Sequence, residues 1–212
     1  EELHTDVAIR TTLFLADWEV ALSHFSGTSR EPVLLFEDDR LLPYYPIIDQ
    51  TGIELQYAAG DWLWKIESIS RSGFHQTGSV STQSGRYEAA AAGFEFTWSG
   101  LGETGFDFGL LAEYLWDERR YEAFANDIFL GVRIGLNDIQ GTELLFGNIA
   151  DFEEKEHLTF IEFSRRIGTA SKLDLTIRLF DGAEPSLNTE LKNNFSQLDK
   201  DDYLSLSYTH FF

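Results

Sequence analysis

The 212-residue chain contains no cysteine, which removes disulfide frameworks, thiolate zinc sites and cysteine nucleophiles together. Basic residues are few, with 16 Lys and Arg against 36 Asp and Glu, a formal net charge of −20. A surface of that sign excludes nucleic acid as a partner, because such binding needs a basic face that displaces counterions. Anionic lipid headgroups would also be repelled unless divalent cations bridge them. No run of 18 apolar residues occurs although 43% of the chain is hydrophobic, so no transmembrane helix is expected. The five histidines, His4, His24, His75, His157 and His210, lack ligand spacing, so neither zinc nor another cofactor is expected. There is also no initiator Met and no signal peptide, and Glu1 is expected to be a processed or trimmed end.

What the chain does hold is aromatic residues, 15% of the total, and long stretches in which apolar and polar residues alternate. Period-two alternation marks strands with one apolar and one polar face. Residues 5–15 alternate Val7, Ile9, Leu13 and Leu15 against Ala8, Arg10 and Thr12, and only Ala16 and Asp17 separate them from Trp18, Val20 and Leu22 on the next strand. Residues 27–50 hold three of the four prolines and no sustained period, which predicts a long loop. Ile53, Leu55 and Tyr57, a turn near Gly60, then Trp62, Trp64 and Ile66 form the clearest hairpin. Further alternating strands follow around Phe94–Trp98, Phe106–Tyr114, Ile128–Leu136, residues 142–150, residues 158–166, Leu173–Phe180 and residues 203–212. Leu187, Leu191, Phe195 and Leu198 behind Ser186 predict a short amphipathic helix in the last long loop.

About eleven strands are therefore expected, joined by alternately short and long connections. Outer-membrane barrels have that asymmetry, and strands of eight to twelve residues suit a tilted crossing of the bilayer. Trp18, Trp62, Trp64 and Trp98 lie near short turns, with Tyr114 and Trp116 beside a long loop, as two interfacial belts require. The expected fold is all-β, a transmembrane antiparallel up-and-down β-barrel forming one domain over residues 1–212, with outer-membrane lipid and lipopolysaccharide as its surroundings. The final residues, YLSLSYTHFF, place Leu204, Leu206, Tyr208, His210 and Phe212 at one parity. This ending resembles the C-terminal assembly signal of bacterial outer-membrane β-barrels, which implies recognition by the barrel-assembly machinery.

Several phrases, YYPIIDQTGIELQYAAGDWLWKIESISRSG, GLLAEYLWDER, NDIFLGVRIGLNDIQGTELLFG and LDLTIRLF among them, resemble a group of uncharacterised outer-membrane proteins of Gram-negative, gammaproteobacterial-type bacteria. The likeness spans most of residues 25–212 and carries no established activity. It implies a barrel longer at the N-terminus than this chain. Strand parity leads to the same expectation, because eleven antiparallel strands cannot close with all neighbours antiparallel. An odd number of further strands is expected before Glu1 or from another chain, or else a twelfth strand within residues 31–50.

The polar parity is unusually charged. Glu19, Glu54, Glu67, Glu95, Asp107, Glu113, Glu143, Glu162 and Asp174 stand with Arg10, Lys65, Arg71, Arg133, Arg166 and Arg178. Charges facing hydrocarbon cost about 2–4 kcal/mol each near the midplane, so these residues are expected to line the lumen. Two readings stand for them: a paired network that fills a narrow barrel, or a hydrated porin-like pore that passes small hydrophilic solutes and weakly prefers cations. His24-Phe25-Ser26 invites comparison with outer-membrane lipases, yet His24 shares the parity of Trp18 and Leu22 and no acid partner is identifiable, so no enzyme is expected, with a rim-located lipid hydrolase as the weaker alternative. Asp151, Glu153, Glu154 and Glu156, like Asp199, Asp201 and Asp202, are expected to be solvated loop acids, with calcium or bridged lipopolysaccharide as the alternative.

Overall fold

The structure is a computed structural model, and it describes residues 4–37, 40–74, 85–103, 105–119, 124–152, 156–182, 198 and 201–212. These form thirteen strands and no α-helix: β1 (Val7–Leu15), β2 (Trp18–Thr28), β3 (Val33–Glu37), β4 (Arg40–Tyr44), β5 (Ile47–Ala59), β6 (Trp62–Phe74), β7 (Gly85–Leu101), β8 (Phe106–Asp117), β9 (Asn126–Gly135), β10 (Glu143–Asp151), β11 (His157–Ile167), β12 (Ser171–Asp181) and β13 (Tyr203–His210). Eleven make one antiparallel sheet in the order β1-β2-β5-β6-β7-β8-β9-β10-β11-β12-β13. The sheet is not closed into a barrel: β1 and β13 end the strand order. The other two strands, β3 and β4, form a separate hairpin within residues 27–50. That stretch is therefore not the unstructured loop expected from its prolines, and its hairpin adds no twelfth strand to the sheet. The helix expected at 187–198 lies outside the described residues except for Leu198.

Backbone contacts divide the chain into two compact units, Glu1–Tyr57 with Lys65–Ala91 and Ala58–Trp64 with Ala92–Phe212. In the first, the β1–β2 reversal needs only two residues because Ala16 takes a left-handed φ of 52°. Val7, Ile9, Leu13 and Leu15 then share a face with His24, Leu22, Val20 and Trp18, and with Ile53, Leu55 and Tyr57 across β5. In the second unit, Leu110, Val132 and Phe146 lie in one cross-strand row with Ile161 and Ile177 and with Leu204 on β13.

Neither unit packs this apolar face into a protein core. Only Ala21, Ile48 and Tyr87 are buried hydrophobics among the described residues. Side chains that a soluble sheet would cover stand open instead, including Ile9, Leu13, Trp64, Leu130, Leu204 and Leu206. Rings gather near the short turns. Trp18 lies 4.7 Å from Tyr57 in the first unit. In the second, Trp62, Trp64, Phe94, Phe96, Trp98 and Phe108 form a chain of ring contacts at 4.4–5.8 Å.

Two loop-end carboxylates fasten strand ends outside the ladders. Asp6 accepts the Thr28 N–H at 2.8 Å and pairs with Arg30 at 2.9 Å. Gly27 leaves room for it, since a Cβ there would sit 2.5 Å from the Asp6 carboxylate. Asp138 accepts the Thr142 N–H at 2.7 Å and the Thr142 hydroxyl at 2.8 Å. The backbone hydrogen bond from Thr142 is the chief reason that its carboxyl is held below the usual carboxylate range, and that from Thr28 acts likewise on Asp6.

Candidate functional site: the charged sheet face

The charged residues expected from alternation fall on the sheet face opposite the exposed apolar one in each unit. In the first unit, register sets Glu19 opposite Gln56 and Glu54 opposite Ala21. Arg10, opposite Ser23, reaches diagonally to Glu54, with Nη2 to Oε2 at 2.6 Å. Beside this pair Ser23 stands opposite Gly52, where a Cβ would come 2.8 Å from Ser23 Oγ. Glu19, Glu54, Lys65 and Glu67 line a recess of about 70 Å³. Arg71 donates from Nε to Gln50 Oε1 at 2.7 Å and lies 5.8 Å from the Tyr87 ring centroid.

In the second unit the cross-strand registers line the charges into rows. Asp107, Gly135, Glu143, Ser164 and Asp174 make one row, and Gly109, Arg133, Leu145, Glu162 and Thr176 the next. Arg178 follows one row on, opposite Phe160, and Arg166 sits opposite Lys172 beyond the acidic row. Glu113 faces Phe129. Gly109 lets the Arg133 side chain pass over β8 to form an ion pair with Glu95 on β7. Arg178 pairs with Glu162 at 2.5 Å and Lys172 with Asp174 at 2.7 Å. Arg133, Glu143, Glu162, Lys172, Asp174 and Thr176 border a groove of about 340 Å³. Such a surface carries closely alternating fixed charges of both signs.

Comparison with protein-family models, curated proteins and solved structures finds no match. The chemistry of the face therefore rests on its own geometry. Most of its ion pairs are substantially exposed, so each contributes only about 0–1 kcal/mol to stability. Their larger effect is on the local field. Pairing leaves Glu19, Glu67 and Glu143 without ion-pair partners in the described structure, so the recess and the groove keep an excess of negative charge.

Three features of this face escape a reading by alternation alone. Lys172 has the right parity but stands at the head of its strand, where no repeat yet marks it. Phe129 and Phe160 lie among the charges, with ring planes 6° apart and centroids at 5.9 Å, and Arg178 stacks 4.8 Å from the Phe160 centroid. They cover Gly131 and Gly147, and glycines at the polar parity were the available signal. The third is burial at the strand ends, where Asp127 and Glu156 are 0% and 1% exposed. Glu156 is thus not the solvated loop acid expected; its carbonyl accepts the Asp151 N–H at 3.0 Å, which holds it against the end of β10. Asp151 and Asp127 face each other across β9 and β10. No group of three ligands able to hold a metal occurs among the described residues, and Glu153 and Glu154 lie outside them.

The remaining named residues lie on the apolar face. His24 holds Thr51 Oγ1 through Nδ1 at 3.0 Å, with no carboxylate bonded to it among the described residues. Leu204, Leu206, Tyr208 and His210 stand opposite Ile177, Leu175, Leu173 and Ser171. Ser171 Oγ lies 2.8 Å from both the Tyr208 hydroxyl and His210 Nδ1, which fastens β13 to β12. Phe212 lies just past β13, its ring 5.0 Å from that of His210.

Proposed function

We propose that this chain is an integral outer-membrane β-barrel protein, a porin-like channel for small hydrophilic solutes with the charged face lining its lumen. The observation that carries this reading is a wide antiparallel sheet with one charged face, one open aromatic-rich face and, among the described residues, almost no buried apolar side chain. Each large apolar side chain left in water forgoes about 1.5–3 kcal/mol of burial. Lipid supplies that burial without a protein core. The dimensions suit it: on β12, Leu173, Leu175, Ile177 and Leu179 lie between Ser171 and Asp181. That interval is roughly 33 Å along a strand, or about 25 Å across a bilayer at the usual tilt.

Closure belongs to the same proposal. An open edge in hydrocarbon leaves backbone groups unpaired at several kcal/mol each. The first and last of eleven antiparallel strands run in the same direction, so the full barrel has twelve strands or more, completed by an odd number from outside these eleven.

A second reading, a barrel plugged by its own charges that serves as a structural or surface-interaction protein, draws on the pairs Arg10–Glu54, Arg133–Glu95, Arg178–Glu162 and Lys172–Asp174. Insertion into a planar bilayer separates the two. Stepwise conductance supports the pore, and an inserted but electrically silent protein supports the plug.

A further inference from the structure

We propose that the β3–β4 hairpin is a lipid-docking element that lies in the headgroup–acyl boundary of a zwitterionic bilayer; this rests on the membrane reading above. All five residues of β4 are exposed. Because side chains alternate, Leu41 and Pro43 open one face of the ribbon, and Leu42 and Tyr44 open the other. Leu34, opposite Pro43, is exposed as well. An isolated two-stranded hairpin is marginal in water, and one with two apolar faces is worse. Packing against a folded surface would cover one face and leave the other open. A lipid boundary covers both.

The depth follows from the backbone. Each strand of a two-stranded sheet keeps an outer edge, which hydrocarbon would leave unpaired. The ribbon therefore stays shallow, roughly 5–10 Å into the boundary as interfacial elements do. Tyr44 and the exposed Tyr45 supply rings of the kind that settle at that level. Pro43 has no N–H to offer an added strand, which disfavours a partner that docks by extending the ribbon. The chain's formal net charge of −20 favours zwitterionic over anionic headgroups.

The absence of cysteine makes the test clean. Leu41→Cys and Leu42→Cys, one on each face, carry a polarity-sensitive fluorophore in protein reconstituted into phosphatidylcholine vesicles with or without brominated acyl chains. Leu175→Cys on the apolar face of β12 is labelled in parallel, Leu34→Cys repeats the hairpin measurement, and circular dichroism verifies the fold of each. Both hairpin labels should lose about half their emission to bromines near the headgroup and less to deep ones, as a boundary position of ~5–10 Å requires. Quenching at Leu175 with none at either hairpin face overturns the proposal in favour of water or a protein partner. Quenching on one hairpin face alone overturns it in favour of packing against protein. No quenching at Leu175 defeats the membrane reading itself, and this proposal with it.

Discussion

Residue by residue, the polar face is constrained where glycines sit beneath rings. A Cβ on Gly147 would stand 2.5 Å from the Phe160 ring and 2.7 Å from that of Phe129, whereas nothing lies within 4 Å of one on Gly135. Gly147→Ala must displace two stacked rings and should cost about 1–3 kcal/mol. Gly135→Ala, with open space in the same strand pair, should be nearly neutral. Urea unfolding of the folded protein in detergent micelles compares them, and equal costs would remove the packing argument. Asp138 offers a pH test at the same scale. Its folded pKa lies below the unfolded value, so its contribution is complete above the ordinary carboxylate range and is lost as pH falls through the lowered folded value. The Thr142 amide, corrected for intrinsic exchange, should therefore keep its hydrogen-exchange protection near neutrality and lose it in acid. Asp138→Asn should flatten that dependence.

Individual strands differ between their faces more than along their length. Leu175 and Thr176 are chain neighbours on β12, yet Leu175 stands opposite Phe163 and Leu206 while Thr176 stands opposite Glu162 and Ser205. In the membrane reading Leu175→Arg places a charge in lipid and should cost about 2–4 kcal/mol, with Thr176→Arg below about 1 kcal/mol. Unfolding of each variant from phosphatidylcholine vesicles measures the difference. Similar costs at the two positions would count against lipid on the leucine side. The element that behaves otherwise is the β3–β4 hairpin. Its β4 residues show no alternation because Leu41 and Pro43 open one face and Leu42 the other, and period-two reading therefore takes it for loop.

For the whole molecule, the balance of charge decides what a pore would pass. Nine acids and six bases were assigned to the polar parity, and Lys172 brings the bases to seven, so nine still exceed seven. Under a salt gradient the reversal potential should show weak cation preference, and Glu143→Gln, which removes an acid without an ion-pair partner among the described residues, should lessen it. Anion preference would count against the charged face as the lumen. The positions and faces of the eleven sheet strands were determined by the sequence alone, since a side-chain period of two is a local property that each of them repeats. The tertiary structure decided what depends on neighbours. It showed which strand stands beside which, and so brought Arg133 to Glu95, 38 residues away, across Gly109. It also buried Glu156 against the end of β10 and left a proline-rich loop paired to itself. Local alternation says which way a side chain points, but its partner is set by register across strands, and register exists only once the chain has folded.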